Sequence, residues 1–129
     1  RSALIRPRAD LVKPPKLRLW QGAVAFRSTR SGAGGAKTGS GYLAQPPGGK
    51  GPGVIVIQEW WGLVPHIKDV CDRYAAEGFV ALAPDLYHGE STTEPDGAGK
   101  LMMALNIDQA GKDMSGAIDL LKERSGRDK

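Results

Sequence analysis

The chain has 129 residues, enough for one domain, and its 40% hydrophobic and 25% charged residues fall in the globular range. The formal net charge of +4 suggests an anionic partner until the charges are located: residues 1–40 carry nine Lys and Arg against Asp10 alone, and residues 41–129 carry nine against thirteen acids. The basicity belongs to the first third, and the remainder is mildly acidic.

Cys71 is the single cysteine, which rules out an internal disulfide and fits a reducing cytoplasm. No run approaches the roughly 18–20 apolar residues of a membrane span, and Leu4-Ile5 is too brief for a secretory signal. No membrane partner is expected.

From Arg1 to Ser40 the chain mixes Arg, Pro, Gly and Ser without lasting helical or strand periodicity, so this basic leader is expected to be mostly disordered. Pro7, Pro14 and Pro15 argue against the amphipathic helix of a transit peptide. Aromatic residues here are limited to Trp20 and Phe26, and no nucleic-acid-binding module is recognisable, so no nucleic-acid partner is expected.

The folded domain is expected over 41–129. Gly41-Tyr-Leu-Ala44 can form a short strand, and Gln45 to Gly53 is dense in turn-forming Pro and Gly. Val54-Ile-Val-Ile57 is a continuous β-branched run, the mark of a strand covered on both faces. After the loop Gln58 to Pro65, apolar residues at Ile67, Val70, Cys71, Tyr74 and Ala75 trace one face of an amphipathic helix. Gly78 caps that helix, and Phe79-Val-Ala-Leu-Ala83 forms a second apolar strand closed by Pro84.

Strand, helix and strand make a parallel βαβ unit, which points to an α/β architecture. Helical sequence recurs around Leu101 to Leu105. A further helix starts at Asn106, with Gln109 three residues on as in a capping box, and is expected to bury Ile107, Ala110, Met114, Ala117, Ile118 and Leu121. A dinucleotide-binding fold opens with a similar unit, but Gln58-Glu-Trp-Trp-Gly62 stands where its Gly-x-Gly-x-x-Gly would follow the first strand.

Ligands of open α/β sheets bind beyond the carboxyl ends of parallel strands, here Gln58-Glu-Trp-Trp-Gly62 and Pro84-Asp-Leu-Tyr-His-Gly89. These two segments, with Glu77-Gly-Phe-Val-Ala81 between them, resemble the dienelactone hydrolase family of α/β-hydrolases over residues 41 to about 121. The resemblance implies the N-terminal portion of a mostly parallel sheet flanked by helices. It also implies hydrolysis of a carboxylic ester or lactone by a Cys-His-Asp triad that needs no cofactor and no metal.

Within that resemblance, Glu59 interacts with the nucleophilic thiol and governs its activation, and the backbone N–H of Trp60 is one oxyanion donor. Trp61, Tyr87 and His88 line the substrate pocket. Where some relatives that handle anionic lactones carry Arg, this chain has Gly89. Asp85 is expected to brace its loop through backbone hydrogen bonds.

The family's nucleophile sits in a Gly-x-Cys-x-Gly elbow after the next strand, and neither that motif nor Gly-x-Ser-x-Gly occurs in these 129 residues. Cys71, on the apolar face of a helix, reads as a buried inert thiol. The chain taken alone is therefore expected to be inactive on the small-molecule ester or lactone of the intact protein. The alternative is a non-enzymatic half-domain that self-associates or binds a partner through an open sheet edge.

Overall fold

A computed structural model describes residues 19–28 and 37–126. Four strands form one sheet: β1 (Trp20–Ser28), β2 (Lys37–Gln45), β3 (Gly53–Ile55) and β4 (Val80–Pro84), in the order β1-β2-β4-β3. Three helices accompany them, α1 (Pro65–Ala76), α2 (Pro95–Ala104) and α3 (Ile107–Ser125). β3 and β4 pair in parallel with Gly53 opposite Val80, as a βαβ unit requires, while β2 runs antiparallel to β4 with Gly41 opposite Pro84. The Val56 amide still donates to Leu82 O at 2.9 Å, so the parallel ladder continues one step past β3.

The strand β1 lies within the leader of residues 1–40, expected from its sequence to be mostly disordered, and over Trp20–Ser28 the chain is ordered instead. β1 pairs antiparallel with β2 along its whole length, from Trp20 opposite Gln45 to Ser28 opposite Lys37. Gly22, Val24, Phe26 and Ser28 alternate inward against exposed neighbours, a period of two that Gly, Ala and Arg weaken in the sequence. The expected start of the domain at Gly41 falls inside β2. Residues 1–18 and 29–36 of that leader lie outside the described residues.

The side chains of β4 alternate between two apolar layers, and all five of its residues are buried. Val80 and Leu82 join Phe26, Leu43, Ala117 and Leu121 beneath α3. Ala81 and Ala83 face the other way with Ala44, Ile67, Cys71 and Ala75 beneath α1. Burial on both faces explains why β4 has no polar position, and the helices on opposite faces make the architecture α/β.

Both expected helix signals act as foreseen. The amides of Gly78 and Phe79 donate to Ala75 O and Tyr74 O, at 3.0 and 3.1 Å, with Gly78 at a φ of 100°. That is a Schellman ending, and its apolar contact is the edge-to-face pair of Tyr74 and Phe79 at 5.6 Å. Asn106 caps α3 by accepting from the Gln109 amide.

The buried face of α3 differs from the expected stripe. Asp113, Gly116, Ala117, Leu121 and Ser125 are buried, whereas Ile107 is 75% exposed and Ile118 also faces outward. The cause is β1: the helix sits so close to it that a Cβ on Gly116 would lie 2.1 Å from Arg27 O. Such an approach rotates the glycine, not the isoleucines, toward the sheet. Among the described residues no helix is long and apolar enough to cross a membrane.

Candidate active site

The two segments at the carboxyl ends of β3 and β4 are laced together. The side-chain carbonyl of Gln58 accepts from the Leu86 amide at 2.8 Å, and the Tyr87 hydroxyl donates to Trp60 O at 3.0 Å. Trp61 O accepts from the Thr92 amide, and Gly62, at a φ of 104°, bridges to both Glu59 and Ser91. A Cβ at Gly62 would lie 2.7 Å from Glu90 O, so the close approach of the two loops depends on glycine there.

Asp85 braces the second loop as expected. Its Oδ1 accepts from the Tyr87 amide at 3.1 Å and its Oδ2 from the Gly89 amide at 2.8 Å. These bonds hold His88 and Gly89 at φ of 52° and 96°, the first being the only non-glycine residue with positive φ among those described. Burial pushes the Tyr87 phenol up from its ordinary pKa, which keeps its hydroxyl a proton donor to Trp60 O.

Glu59 is exposed, and its carboxylate has no hydrogen-bond or ionic partner among the described residues. Trp60 is 39% exposed and its ring packs against Trp61 at 5.1 Å. The backbone N–H of Trp60 has no acceptor among the described residues, whereas the carbonyl of the same residue is taken by Tyr87.

Tyr87 and His88 border a cavity of about 210 Å³ between the second loop and α2–α3, and Glu59, Trp60 and Trp61 do not line it. The structure thus brings Trp60 and Tyr87 together but places His88 on the far side of the loop. There His88 Nε2 meets Asp113 Oδ2 at 2.7 Å. Asp113 is 1% exposed, and its Oδ1 accepts from Ser28 Oγ at 2.6 Å and from Gln109 Nε2 at 3.0 Å.

Sequence reasoning missed Asp113. The signal was present, because 113, 116, 117, 120 and 121 form a second helical stripe beside the apolar one, with a carboxylate at its head. Cys71 is fully buried, and burial, then the charge of Asp72, pushes its thiol up to about 12. That makes it a poor nucleophile. Among the described residues, no group of three or more His, Cys, Asp or Glu is placed to hold a metal ion.

The sequence profile of the dienelactone hydrolase family matches residues 40–129. The chain belongs to the dienelactone hydrolase family. Protein usf of Aquifex pyrophilus is 51% identical over 89 residues, which are 64% of this chain and 38% of that protein. A protein of Aquifex aeolicus (strain VF5), provisionally named a carboxymethylenebutenolidase, is 43% identical over 89 residues with the same coverage.

Among solved structures, m3DLH superposes with a TM-score of 0.62 at 27% identity, over 80% of this chain and 42% of that one. A dienelactone hydrolase-like promiscuous phosphotriesterase from metagenomic libraries gives 0.64 at 25% identity, over 83% and 44%. The chain spans about two fifths of the length of these relatives, so its α/β fold is part of a dienelactone hydrolase domain. β1 lies upstream of the matched residues and forms one edge of the sheet.

Proposed function

We propose that this chain forms the oxyanion-binding side of a carboxylic ester or lactone hydrolase. The observation that carries the reading is the Glu59–Trp60 peptide: its carbonyl accepts from the Gly62 amide at 3.0 Å, while its N–H, that of Trp60, has no acceptor among the described residues at a parallel strand end. A donor whose orientation is set before substrate arrives stabilises a developing oxyanion without reorganisation. Glu59, exposed one residue earlier, is available to act on a nucleophile brought from elsewhere, and Trp61 offers an apolar wall. In the intact protein a Cys-His-Asp triad completes the site, as the family relationship suggests.

The test is a chimera. Residues 19–129, which include β1 and the whole of β2, replace the corresponding part of a dienelactone hydrolase relative, and hydrolysis of a p-nitrophenyl ester and of a lactone is followed. Turnover by the chimera that Glu59→Ala reduces supports the reading, and a chimera that is folded but inert refutes it. The chain alone is expected to show no turnover above buffer, because no Gly-x-Cys-x-Gly elbow occurs in it. Turnover by the chain alone that Glu59→Ala abolishes overturns that expectation.

A second reading, binding through the sheet edge, is favoured by β3. It ends the strand order, and Ile57 just beyond it is 52% exposed. Size-exclusion chromatography decides this: a monomer across concentrations counts against self-association.

A further inference from the structure

We propose that the His88–Asp113 pair makes the cavity between the 86–90 loop and α2–α3 a binding site for a small neutral alcohol. The identification of an alcohol deepens the hydrolase reading, since an alcohol is what ester hydrolysis releases. The site itself stands on its own geometry.

A buried carboxylate accepts hydrogen bonds and cannot donate them. Each of the three groups around Asp113 must therefore bring a proton: the Ser28 hydroxyl, the Gln109 amide nitrogen and His88 Nε2. This assigns the neutral imidazole of His88 to the Nε2–H tautomer and leaves the lone pair on Nδ1. Ser28 on β1 and Gln109 on the first turns of α3 thus set the proton position on a ring in the strand-end loop.

His88 keeps 44% of its side chain exposed and lines the cavity of about 210 Å³. Its walls are apolar where Leu86, Leu101 and Leu105 contribute, and polar at His88, Gln109 and Glu90. Gln109 has given its amide nitrogen to Asp113, which leaves its carbonyl oxygen as an acceptor. His88 Nδ1, the Gln109 carbonyl and Glu90 are acceptors, the Asn106 amide nitrogen can donate, and the lining has no Lys or Arg. An anion meets no counter-charge here and is repelled by Glu90. A short alkyl chain ending in a hydroxyl matches both the apolar wall and the acceptor set.

Isotope-labelled full chain at pH 8, where an ordinary imidazole is neutral, is examined by NMR. The long-range ring correlations of His88 are expected to show the proton on Nε2. Titration with n-butanol is expected to shift the Leu105 and Gln109 amides and the His88 ring saturably. Methyl propyl ether, of equal size but without a donor, is expected to bind roughly fivefold more weakly.

The variant His88→Asn tolerates the positive φ and, with the Gln109 carbonyl still in the cavity, is expected to keep only part of the preference for butanol over the ether. The proposal is overturned by a proton on Nδ1, by equal binding of ether and alcohol to the unmodified chain, or by tighter binding of n-butylammonium than of butanol. Absence of saturable shifts overturns it too. No turnover is measured in this experiment, so alcohol binding can fail while the chimera hydrolyses esters, and the reverse.

Discussion

The Tyr87 hydroxyl donates to the carbonyl of Trp60 at 3.0 Å, so one buried phenol from the β4 loop holds the Trp60–Trp61 peptide, next in the chain to the one that carries the Trp60 N–H. Tyr87→Phe keeps the ring and removes this bond. The expected loss is about 1 kcal/mol, the net contribution of one hydrogen bond, seen as a lower urea midpoint with an unchanged slope. Amide exchange should quicken at Trp61 and Thr92, and unchanged exchange there refutes the clamp.

The contact of α3 with β1 separates two glycines in one helix. Gly116→Ala would put a Cβ 2.1 Å from Arg27 O, a backbone atom that cannot swing aside. The expected cost is roughly 1–3 kcal/mol of overpacking. Gly111→Ala has nothing within 4 Å and should stabilise α3 by roughly 0.5–1 kcal/mol. Urea denaturation of both variants tests the placement of β1, since without that strand the two changes would move stability in the same direction.

Asn106→Ala removes the side-chain oxygen that accepts from the Gln109 amide at 2.9 Å. Loss of an N-cap costs about 1 kcal/mol. A second consequence follows from position, because Gln109 also donates to Asp113. Fraying of the first turn should therefore broaden the His88 ring resonances, whereas capping by Asn106→Asp should leave them sharp.

What the sequence revealed followed the strength of its periodic signals. The helix stripe around Ile67 and Cys71 and the caps at Gly78 and Asn106 are local patterns, and local forces produce them. The run Val54–Ile57, expected to be covered on both faces, is instead a strand only over Gly53–Ile55, with Ile57 52% exposed. β1 escaped notice because its inward positions include Gly22 and Ser28, and its stability comes from pairing with β2 and from the α3 contact. Both are tertiary. At the site, Glu59, Trp60 and Trp61 drew attention through the family motif, and the structure leaves their roles as proposals. Asp113 stayed hidden because only the folded chain brings Ser28, His88 and Gln109 around one carboxylate.

Cys71 sets a limit on stability at alkaline pH. Burial and the neighbouring Asp72 charge lift its thiol from 9.0 to about 12, and burial with the Asp72 hydrogen bond lifts the Tyr42 phenol from 10.0 to about 12. Both groups are held neutral in the folded chain and ionise more readily when unfolded. Their contribution is fully present below the unfolded values and is lost as pH climbs from about 9 toward the folded values near 12. The urea midpoint should fall across that window, and Cys71→Ala should flatten the first part of the fall even though it leaves a small cavity. A thiol reagent at pH 8 should label the native chain only at the rate of global opening and the urea-unfolded chain at once. Rapid labelling of native protein would place Cys71 outside the core that α1 closes over β4.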